Sequence, residues 1–404
     1  MKRLSAISLF TGCGGLDYGF EAAGFDTRAA VEMDARCVET LKANRQWPVL
    51  AEDVGHVTTD ELLIAADLSV GEADVLIGGP PCQPFSKAGF WATGSSKRLD
   101  DPRATTLDHY LRILEEAQPR AFLLENVEGL GFRGKDEGLK LIREALDAIN
   151  TRTGSKYRAS VAVLNAADYG IPQLRRRLFV IGARDGSTFT FPEATHGEGA
   201  QEPWRTTWDA LWDLAEPNDP ELVAKGKWAS LLPSIPEGQN YLWHTDRGGG
   251  EPLFGWRRRF WSFLLKLAKD QPSWTLAAQP GPATGPFHWK GRRLSMRELA
   301  RLQTFPDDVE VLGSVLDVQR QVGNAVPSLL AEILGRAIRA QLLAEPVGGE
   351  PELRVSLSPM PTPAPERPEA VPAKYLALAG VHEAHPGTGL GFGAQRRAEL
   401  MAAE

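Results

Sequence analysis

The strongest constraint on this chain is a short apolar run that ends in two glycines and two prolines. Residues 73–77 form an apolar run typical of a buried strand, and residues 78–82, Gly-Gly-Pro-Pro-Cys, follow directly. Proline fixes φ and restricts its predecessor, so the chain leaves the strand as a stiff, extended turn. Open α/β sheets bind ligands at this edge, which favours a chemical role for Cys82. A buried packing cysteine is the alternative, since free cysteines are usually buried.

A second strand and turn lie near the N-terminus. Residues 6–10 are predicted to form a strand that runs into Thr-Gly-Cys-Gly-Gly-Leu-Asp at residues 11–17, followed by a helix. Glycines let the backbone approach a ligand closely, and a helix N-terminus offers unpaired N–H groups. Residues 27–32 form another predicted strand, and its last residue, Glu32, is placed to hydrogen-bond a ribose diol. Alone, Glu32 also fits a helix N-terminal acid.

Two further stretches bring charged groups out of apolar strands. Residues 121–124 are predicted to deliver Glu125 to the same sheet edge as Cys82, and a carboxylate in that position is costly unless it is paired. Within residues 170–182, strand geometry places Arg175 and Arg177 on one face and Arg176 on the other. We therefore expect two guanidinium groups to reach the site.

Taken in order, these stretches resemble the DNA (cytosine-5) methyltransferases. The resemblance rests on Pro-Cys-Gln at 81–83, Glu-Asn-Val at 125–127, Gln-x-Arg-x-Arg at 173–177 and Gln-Val-Gly-Asn-Ala-Val-Pro at 321–327. It covers about residues 4–184 and 292–330. It implies an α/β fold with a Rossmann-like sheet that binds S-adenosylmethionine, released as S-adenosylhomocysteine, and a smaller target recognition domain. The implied partner is double-stranded DNA.

The resemblance also implies roles for individual residues. Cys82 would be the nucleophile that adds to carbon 6 of a flipped-out cytosine, Glu125 would hold the N3 and amino edge, and Arg175 and Arg177 would complete the catalytic group. Phe10 would lie against the adenine of the cofactor. The whole set expected around the cofactor is Phe10, Gly12, Gly14, Gly15, Leu16, Glu32, Met33, Asp53, Val54, Pro81, Asn324 and Ala325. The reaction needs no metal.

The character of the sequence changes after residue 185. Nine of the eleven tryptophans lie between Trp204 and Trp289. Between Lys225 and Arg301 there are thirteen lysines and arginines but only five acidic residues, although the whole chain carries a net charge of −7. Aromatic residues interleaved with arginines suit nucleic acid, and most of the tryptophans are expected to form this region's own core. The residues expected to touch DNA are Gln83, Ser86, Lys97, Arg98, Arg247, Arg257, Arg258 and Arg259.

These patterns predict four segments. Residues 1–185 form the catalytic and cofactor-binding domain, 186–291 the target recognition domain, 292–345 a return to the catalytic domain, and 346–404 a linker and tail. The return begins with a capping box at Ser295 and Glu298, and the helix predicted over 328–343 is expected to pack beside the first helix. Eight prolines between Pro346 and Pro372 indicate a linker that cannot pack a core.

Composition narrows the remaining possibilities. Cys13, Cys37 and Cys82 are neither an even set nor a Cys-x-x-Cys pair, which disfavours disulfides and zinc, and we interpret Cys13 and Cys37 as packing residues. No apolar run is long enough to span a membrane. We expect a cytoplasmic, nucleoid-associated bacterial enzyme that acts as a monomer on DNA, with a restriction or defence system as partner by family habit.

Three other functions are less consistent with the sequence. An RNA cytosine-5 methyltransferase shares the catalytic motifs, but its Cys-Phe-Thr signature is absent and the tryptophan-rich insert favours DNA. A catalytically silent DNA-binding subunit is disfavoured by the intact Cys82, Glu125, Arg175 and Arg177. A dinucleotide oxidoreductase is disfavoured because the glycine turn departs from Gly-x-Gly-x-x-Gly.

Overall fold

A seven-stranded mixed sheet is formed by strands that lie between Leu4 and Ala183. The computed structural model describes residues 3–81, 105–128, 137–256 and 260–379. The strands of the sheet are β1 (Leu4–Leu9), β2 (Phe25–Val31), β3 (Val49–Leu50), β4 (Val75–Gly78), β5 (Ala121–Val127), β6 (Arg158–Asn165) and β8 (Arg176–Ala183), in the spatial order β3-β2-β1-β4-β5-β8-β6. A separate parallel pair joins β7 (Gln173–Leu174) to β9 (Ser273–Trp274).

The strand order places a switch point between β1 and β4. Strands β1 to β5 run parallel, and β8 is antiparallel to both β5 and β6. The chain winds outward from β1 toward β3, then crosses to β4 and continues the other way. Ligands of open α/β sheets bind outside the carboxyl ends of the strands at such a point. The predicted α/β sheet is confirmed.

Most predicted strands agree with the structure to within two residues. The strand predicted over 27–32 is β2 (Phe25–Val31), whereas the strand predicted over 121–124 extends to Val127. The extension has a physical cause, because β8 continues the antiparallel ladder by pairing Phe179 with Glu125 and Leu178 with Asn126. Glu125 therefore lies within a paired strand rather than in the turn after it.

Helices cover both faces of the sheet. The helices are α1 (Gly15–Ala22), α2 (Ala35–Asn44), α3 (Thr59–Ala66), α4 (Thr105–Ala117), α5 (Glu137–Thr153), α6 (Thr207–Leu211), α7 (Met296–Leu302), α8 (Val315–Asn324), α9 (Ser328–Leu342) and α10 (Ala373–Leu376). One face packs on α1 and α9, and the other packs on α3, α4 and α5. Alternate residues of β1 enter the two cores, as strand geometry requires. No helix of the described residues is long and apolar enough to span a membrane.

The helix that returns from the far end of the chain packs against α1 at two glycines. A Cβ on Gly15 would lie 2.4 Å from the carbonyl oxygen of Val326, and a Cβ on Gly19 would lie 2.2 Å from that of Ser328. Only glycine permits this approach, since real Cβ atoms do not come so close. The predicted pairing of the first helix with the returning one is confirmed. The capping box of Ser295 and Glu298 is also present, at the start of α7.

The predicted recognition region, residues 186–291, contains little regular structure. Beside α6 and β9 its described residues form short 3-10 turns around a cluster that includes Trp228, Tyr241 and Leu264. A second cluster joins this region to α1, α7 and α8. Four of its nine tryptophans belong to or pack against these clusters, Trp208, Trp228, Trp243 and Trp289, whereas Trp204, Trp212, Trp256 and Trp261 are exposed. Fewer of them are therefore core residues than expected.

The proline-rich segment after residue 345 is extended but lies on the protein. It has no helix or strand before α10, as its composition predicts. However, Tyr375 is only 3% exposed and Leu353 and Val355 pack against two of the hydrophobic clusters. The expectation that this segment packs no core is therefore wrong for its described part, because long-range partners bury a few apolar residues between its prolines.

Candidate active site

The carboxylate of Glu125 lies at the carboxyl edge of the sheet, beside the glycine-proline turn. Strand β4 pairs Gly78 with Leu124, which places Gly79 opposite Glu125. A Cβ on Gly79 would lie 2.9 Å from Oε2 of Glu125. The second glycine of the turn therefore leaves the space in which the carboxylate sits.

Two hydrogen bonds hold the prolines that lead into Cys82. Asn126 donates from Nδ2 to the carbonyl oxygen of Pro80 over 3.3 Å, and Thr106 on α4 donates from Oγ1 to that of Pro81 over 3.2 Å. Strand β5 thus supplies both the acid and the amide that fixes the neighbouring turn. Cys82 lies outside the described residues, one position beyond this anchored segment.

Burial and one ion pair set the charge state of Glu125. The residue is 9% exposed, and Nε of Arg177 lies 3.1 Å from its Oε1. Burial raises the pKa of Glu125, and the opposing effects of Arg177 and Arg175 do not cancel the rise. The carboxyl group is therefore suited to hold a proton and donate it to a bound ligand.

Arg175 is a buried cation with unused hydrogen-bonding capacity. It is 1% exposed, and its Nη2 donates to the carbonyl oxygen of Gly323 over 2.9 Å. Among the described residues, its Nε and Nη1 atoms have no hydrogen-bond partner. Burial lowers the pKa of Arg175, and nearby Arg177 acts in the same direction. An unpaired buried donor is costly, so these groups indicate an acceptor supplied by a ligand.

The predicted alternation of the three arginines is confirmed. Arg175 is buried and Arg177 contacts Glu125, whereas the side chain of Arg176 is 61% exposed and pairs with Glu128 over 3.0 Å. The first and third arginines therefore face the acid, and the second faces away from it.

A pair of buried glutamines that the sequence analysis left unassigned positions this arginine strand. Gln173 donates to Oε1 of Gln303 over 2.9 Å and accepts from the backbone N–H of Leu276 over 3.2 Å. Gln303 in turn donates to the carbonyl oxygen of Val322 over 2.6 Å. Gln303 follows a capped helix whose Leu299 faces the core, and a polar residue entering the core after such a helix is the signal that would have identified it.

The turn after β1 forms the neighbouring pocket edge. Gly12 has a left-handed φ of 57°, and a Cβ added there would meet no atom within 4 Å. Its N–H donates to Oε2 of Glu32 over 2.7 Å, and the N–H of Asp34 donates to Oε1 over 2.7 Å. Burial raises the pKa of Glu32 against these hydrogen bonds. Each carboxylate oxygen keeps one further acceptor site, which a ligand hydroxyl can use.

The other glycines of this turn have packing roles. Gly14 has a φ of 91°, and a Cβ there would lie 2.9 Å from the ring of Tyr18. A Cβ on Gly15 would lie 2.9 Å from that of Ala325 as well as close to Val326. Of the three predicted cofactor glycines, Gly12 is therefore the one that faces open space. The contact at Ala325 also brings the end of α8 to this turn.

The remaining predicted cofactor residues differ in their surroundings. Leu16 and Val54 are buried, and Asp53 accepts a hydrogen bond from the N–H of Gly55 over 2.8 Å. Phe10 adopts a left-handed φ of 53° at the end of β1. Pro81, Asn324 and Met33 are exposed, Met33 by 69%. Their contact with a cofactor stays a prediction.

Asp17 is an interior acid that the sequence analysis did not single out. It is fully buried and accepts hydrogen bonds from the hydroxyls of Ser8 and Thr27, over 3.0 and 3.1 Å. Burial raises its pKa to about 7. Because Ser8 is on β1, Thr27 on β2 and Asp17 on α1, this group joins the elements on either side of the glycine turn.

Cys13 and Cys37 are buried, as expected of packing residues, and burial raises the pKa of both thiols.

Two aromatic contacts in the predicted recognition region involve exposed tryptophans, Trp256 and Trp261. The guanidinium of Arg247 lies 4.3 Å from the ring centre of Trp256. Trp261 packs edge-on against Trp274 of β9. Trp274 pairs with Leu174 of β7, and Leu174 directly precedes Arg175 in the chain. The other residues predicted to contact DNA, Gln83, Ser86, Lys97, Arg98, Arg257, Arg258 and Arg259, lie outside the described residues.

Comparison with known proteins identifies extensive similarity. A family profile described as C-5 cytosine-specific DNA methylase matches residues 4–340. The type II methyltransferase M.SacI of Streptomyces achromogenes is 42% identical over 84% of this chain and 94% of its own length. The type II methyltransferase M1.HphI of Haemophilus parahaemolyticus is 34% identical over 83% of this chain and 86% of its own.

Solved structures show the same fold. A structure described as a prophage-encoded DNA modification methyltransferase (E. coli) superposes with a TM-score of 0.60 at 26% identity, covering 85% of this chain and all of the other. Spodoptera frugiperda DNMT2 superposes with a TM-score of 0.58 over 83% of this chain and 99% of its own, and its 15% identity makes this a likeness of fold alone.

Proposed function

The chain belongs to the C-5 cytosine-specific DNA methylase family and is a DNA (cytosine-5-)-methyltransferase, and from that premise we propose how its residues carry out the reaction. The methyl group comes from S-adenosylmethionine and goes to carbon 5 of a cytosine flipped out of a specific short duplex sequence. The reaction passes through a covalent bond between Cys82 and carbon 6. The buried Glu125, with its raised pKa and its contact to Arg177, is the observation that carries this proposal.

The cofactor fits the turn after β1. Gly12 leaves open space, and Glu32 presents acceptor sites at the end of β2, where a ribose diol would lie. Bound S-adenosylmethionine supplies an electrophilic methyl group. Phe10, Asp53 and Val54 complete the proposed adenine side, and Asn324 the methionine side.

Cys82 and Glu125 divide the first chemical step. The Cys82 thiolate forms a bond to carbon 6 of the cytosine, and the π electrons of the 5,6 double bond move toward carbon 5 and N3. Glu125 donates its proton to N3, which neutralises the charge that develops on the ring. Carbon 5 then has the nucleophilic character that an unmodified cytosine lacks.

The remaining steps restore the ring. Carbon 5 would take the methyl group as the bond between that methyl and the donor sulfur breaks, which leaves S-adenosylhomocysteine, and N3 returns its proton to Glu125. Carbon 5 then loses its own proton to a base, and that electron pair re-forms the 5,6 double bond as the bond from carbon 6 to Cys82 breaks. The unpaired donors of Arg175 suit a carbonyl or phosphate oxygen of the nucleotide. A stacked base cannot reach Cys82, so the cytosine must leave the duplex, at a cost of a few kcal/mol that protein contacts offset.

The relatives' names extend the proposal to the enzyme's biological setting. Because they are type II methyltransferases, we place this chain in a restriction-modification system, in which its methylation protects a short sequence from a cognate nuclease. It would act as a monomer on the genomic DNA of the cytoplasm.

A trapping experiment tests the covalent step. Duplex DNA that contains the enzyme's target sequence is prepared with 5-fluorocytosine in place of the target cytosine. The fluorine on carbon 5 cannot be removed as a proton is, so the covalent complex cannot break down. The parent protein should form a covalent complex with this DNA in the presence of S-adenosylmethionine, attached at Cys82 by peptide mass mapping. Methylation of ordinary cytosine without any trapped complex would rule out the covalent route. Duplex DNA and transfer RNA are compared as methyl acceptors in parallel, with duplex DNA expected to be the substrate.

A further inference from the structure

The C-terminal strap, defined here as residues 352–378, begins on the catalytic part of the protein. The backbone N–H groups of Glu352 and Leu353 donate to the two carboxylate oxygens of Glu332 on α9, over 2.7 and 2.9 Å. Glu332 is fully buried, so its carboxylate cannot be hydrated, and these hydrogen bonds take the place of those that water would make. Leu353 packs against the hydrophobic cluster that lies between the sheet and helices α1 and α9.

The middle of the strap crosses to the start of the recognition region. The carbonyl oxygen of Val355 accepts from Nε of Arg205 over 2.8 Å, and the N–H of Ser358 donates to Asp209 over 2.9 Å. Val355 also packs against the cluster that the recognition region shares with α1, α7 and α8. The strap therefore contacts the junction of the two parts.

Beyond this junction the strap follows the recognition region itself. The N–H of Glu366 donates to Oε1 of Glu237 over 3.1 Å, and Glu237 forms a buried ion pair with Lys269. The N–H of Glu369 donates to the carbonyl oxygen of Pro233 over 3.1 Å. In both contacts a backbone N–H group of the extended strap donates a hydrogen bond to an acceptor on the recognition region.

Tyr375 ends the strap inside the core of the recognition region. Its ring stacks on Trp228 with centroids 5.7 Å apart and an interplanar angle of 20°. Its hydroxyl donates to the carbonyl oxygen of Lys227 over 2.7 Å and lies 2.8 Å from Oγ of Ser230. A large side chain with a satisfied hydroxyl is an anchor rather than a loose tail residue.

We propose that the C-terminal strap fixes the orientation of the recognition region relative to the catalytic sheet, with Tyr375 as a positioning residue for DNA binding. The inference rests on the proposed function. DNA must contact both parts at once, and the recognition region has little regular structure of its own to set its orientation. An orientation fixed in advance lowers the entropy lost on binding. Release of the anchor should therefore weaken DNA binding while leaving the cofactor turn after β1 intact.

The first test uses three full-length variants. Tyr375→Ala removes the stack and both hydroxyl contacts, Tyr375→Phe keeps the stack, and Leu376→Ala changes a 44% exposed neighbour on the same helix. Tyr375→Ala should raise the DNA Kd and the KM for DNA about tenfold, which corresponds to about 1.4 kcal/mol. Its kcat at saturating DNA and its affinity for S-adenosylmethionine should stay at parent values. Tyr375→Phe should recover most of the DNA affinity, and Leu376→Ala should match the parent.

Two results would overturn the proposal. One is parent-like DNA affinity in Tyr375→Ala. The other is a loss of kcat and cofactor affinity together with DNA affinity, which would make Tyr375 a general stability residue. Methylation by the parent protein is scored in the same assays, so a failure of the proposed function shows in the parent and a failure of the strap shows in the comparison of variants.

The second test severs the strap after folding. A protease recognition sequence is inserted directly after Thr362, where the strap is exposed. DNA affinity is measured before and after cleavage of the same sample, with protease-treated parent chain as control. Cleavage should weaken DNA binding about tenfold with cofactor binding unchanged, and an unchanged DNA affinity after complete cleavage would contradict the role of the strap.

Discussion

Gly79→Ala is a minimal change that should move the proposed catalytic acid. The added Cβ would lie 2.9 Å from Oε2 of Glu125, where ordinary contacts begin at 3.4 Å. The carboxylate must therefore shift by about 0.5 Å, or the turn that leads to Cys82 must move by a similar amount. Gly79 does not have the left-handed φ that disfavours alanine, so the backbone itself accepts the substitution.

The expected consequence is a defect in turnover. A misplacement of about 1 Å costs up to about a hundredfold in rate, so a shift of half that size should lower kcat about tenfold or more. Nothing near the cofactor turn at Gly12 changes, and the Kd for S-adenosylmethionine should stay at the parent value. Methyl transfer is measured as initial rates at saturating DNA and cofactor, with cofactor affinity determined by calorimetry.

Gly348→Ala is the matched control for this experiment. Gly348 is exposed, and a Cβ there would meet no atom within 4 Å. This variant should keep the parent kcat. A parent-like kcat for Gly79→Ala would refute the argument that Gly79 makes the space for the carboxylate, and an equal loss in both variants would show that the effect does not arise at the active site.

Three further changes test other parts of the structure. Because Glu125 acts in its protonated form, kcat should fall as pH rises through its raised pKa, and Glu125→Gln should be severely slowed and lose this pH dependence; a parent-like pH profile in that variant would exclude the role. Burial raises the pKa of Asp17 from 3.8 to about 7, so Asp17 destabilises the folded state increasingly as pH rises from about 4 to 7. The free energy of unfolding of Asp17→Asn, relative to that of the parent, should therefore rise over this range by up to about 1.4 kcal/mol per pH unit, in urea unfolding at each pH; a constant difference between the two proteins would contradict the assignment. Gly19→Ala would place a Cβ 2.2 Å from the carbonyl oxygen of Ser328 and should lower the free energy of unfolding by about 1–3 kcal/mol, whereas Gly348→Ala should change it little; equal stability would mean that α1 and α9 adjust without cost.

Patterns within a strand or turn allowed much of the catalytic part to be predicted. The run before Gly78, the acid at Glu125 and the alternation of Arg175 with Arg177 depend on neighbours in sequence, and all three lie at the predicted edge. The end of β5 was less predictable because it depends on pairing with β8, whose register is set about 50 residues later in the chain.

Contacts between distant segments were not predictable from local pattern. Gln173 and Gln303 meet 130 positions apart, and the strap reaches Glu332, Arg205 and Trp228 through bonds that no local composition encodes. Proline content correctly indicated the absence of helix and strand over most of the strap. It gave no signal that Tyr375, after the last of these prolines, would be buried.

The central claim is sequence-specific cytosine methylation that depends on Cys82, and a genome-wide map of 5-methylcytosine tests it most directly. The chain and its Cys82→Ala variant are expressed separately in cells that lack cytosine methylation. The parent chain should place 5-methylcytosine at one short sequence throughout the genome, and the variant should leave the DNA unmodified. Unmodified DNA with a parent protein that still binds S-adenosylmethionine, or equal methylation by the variant, would contradict the account.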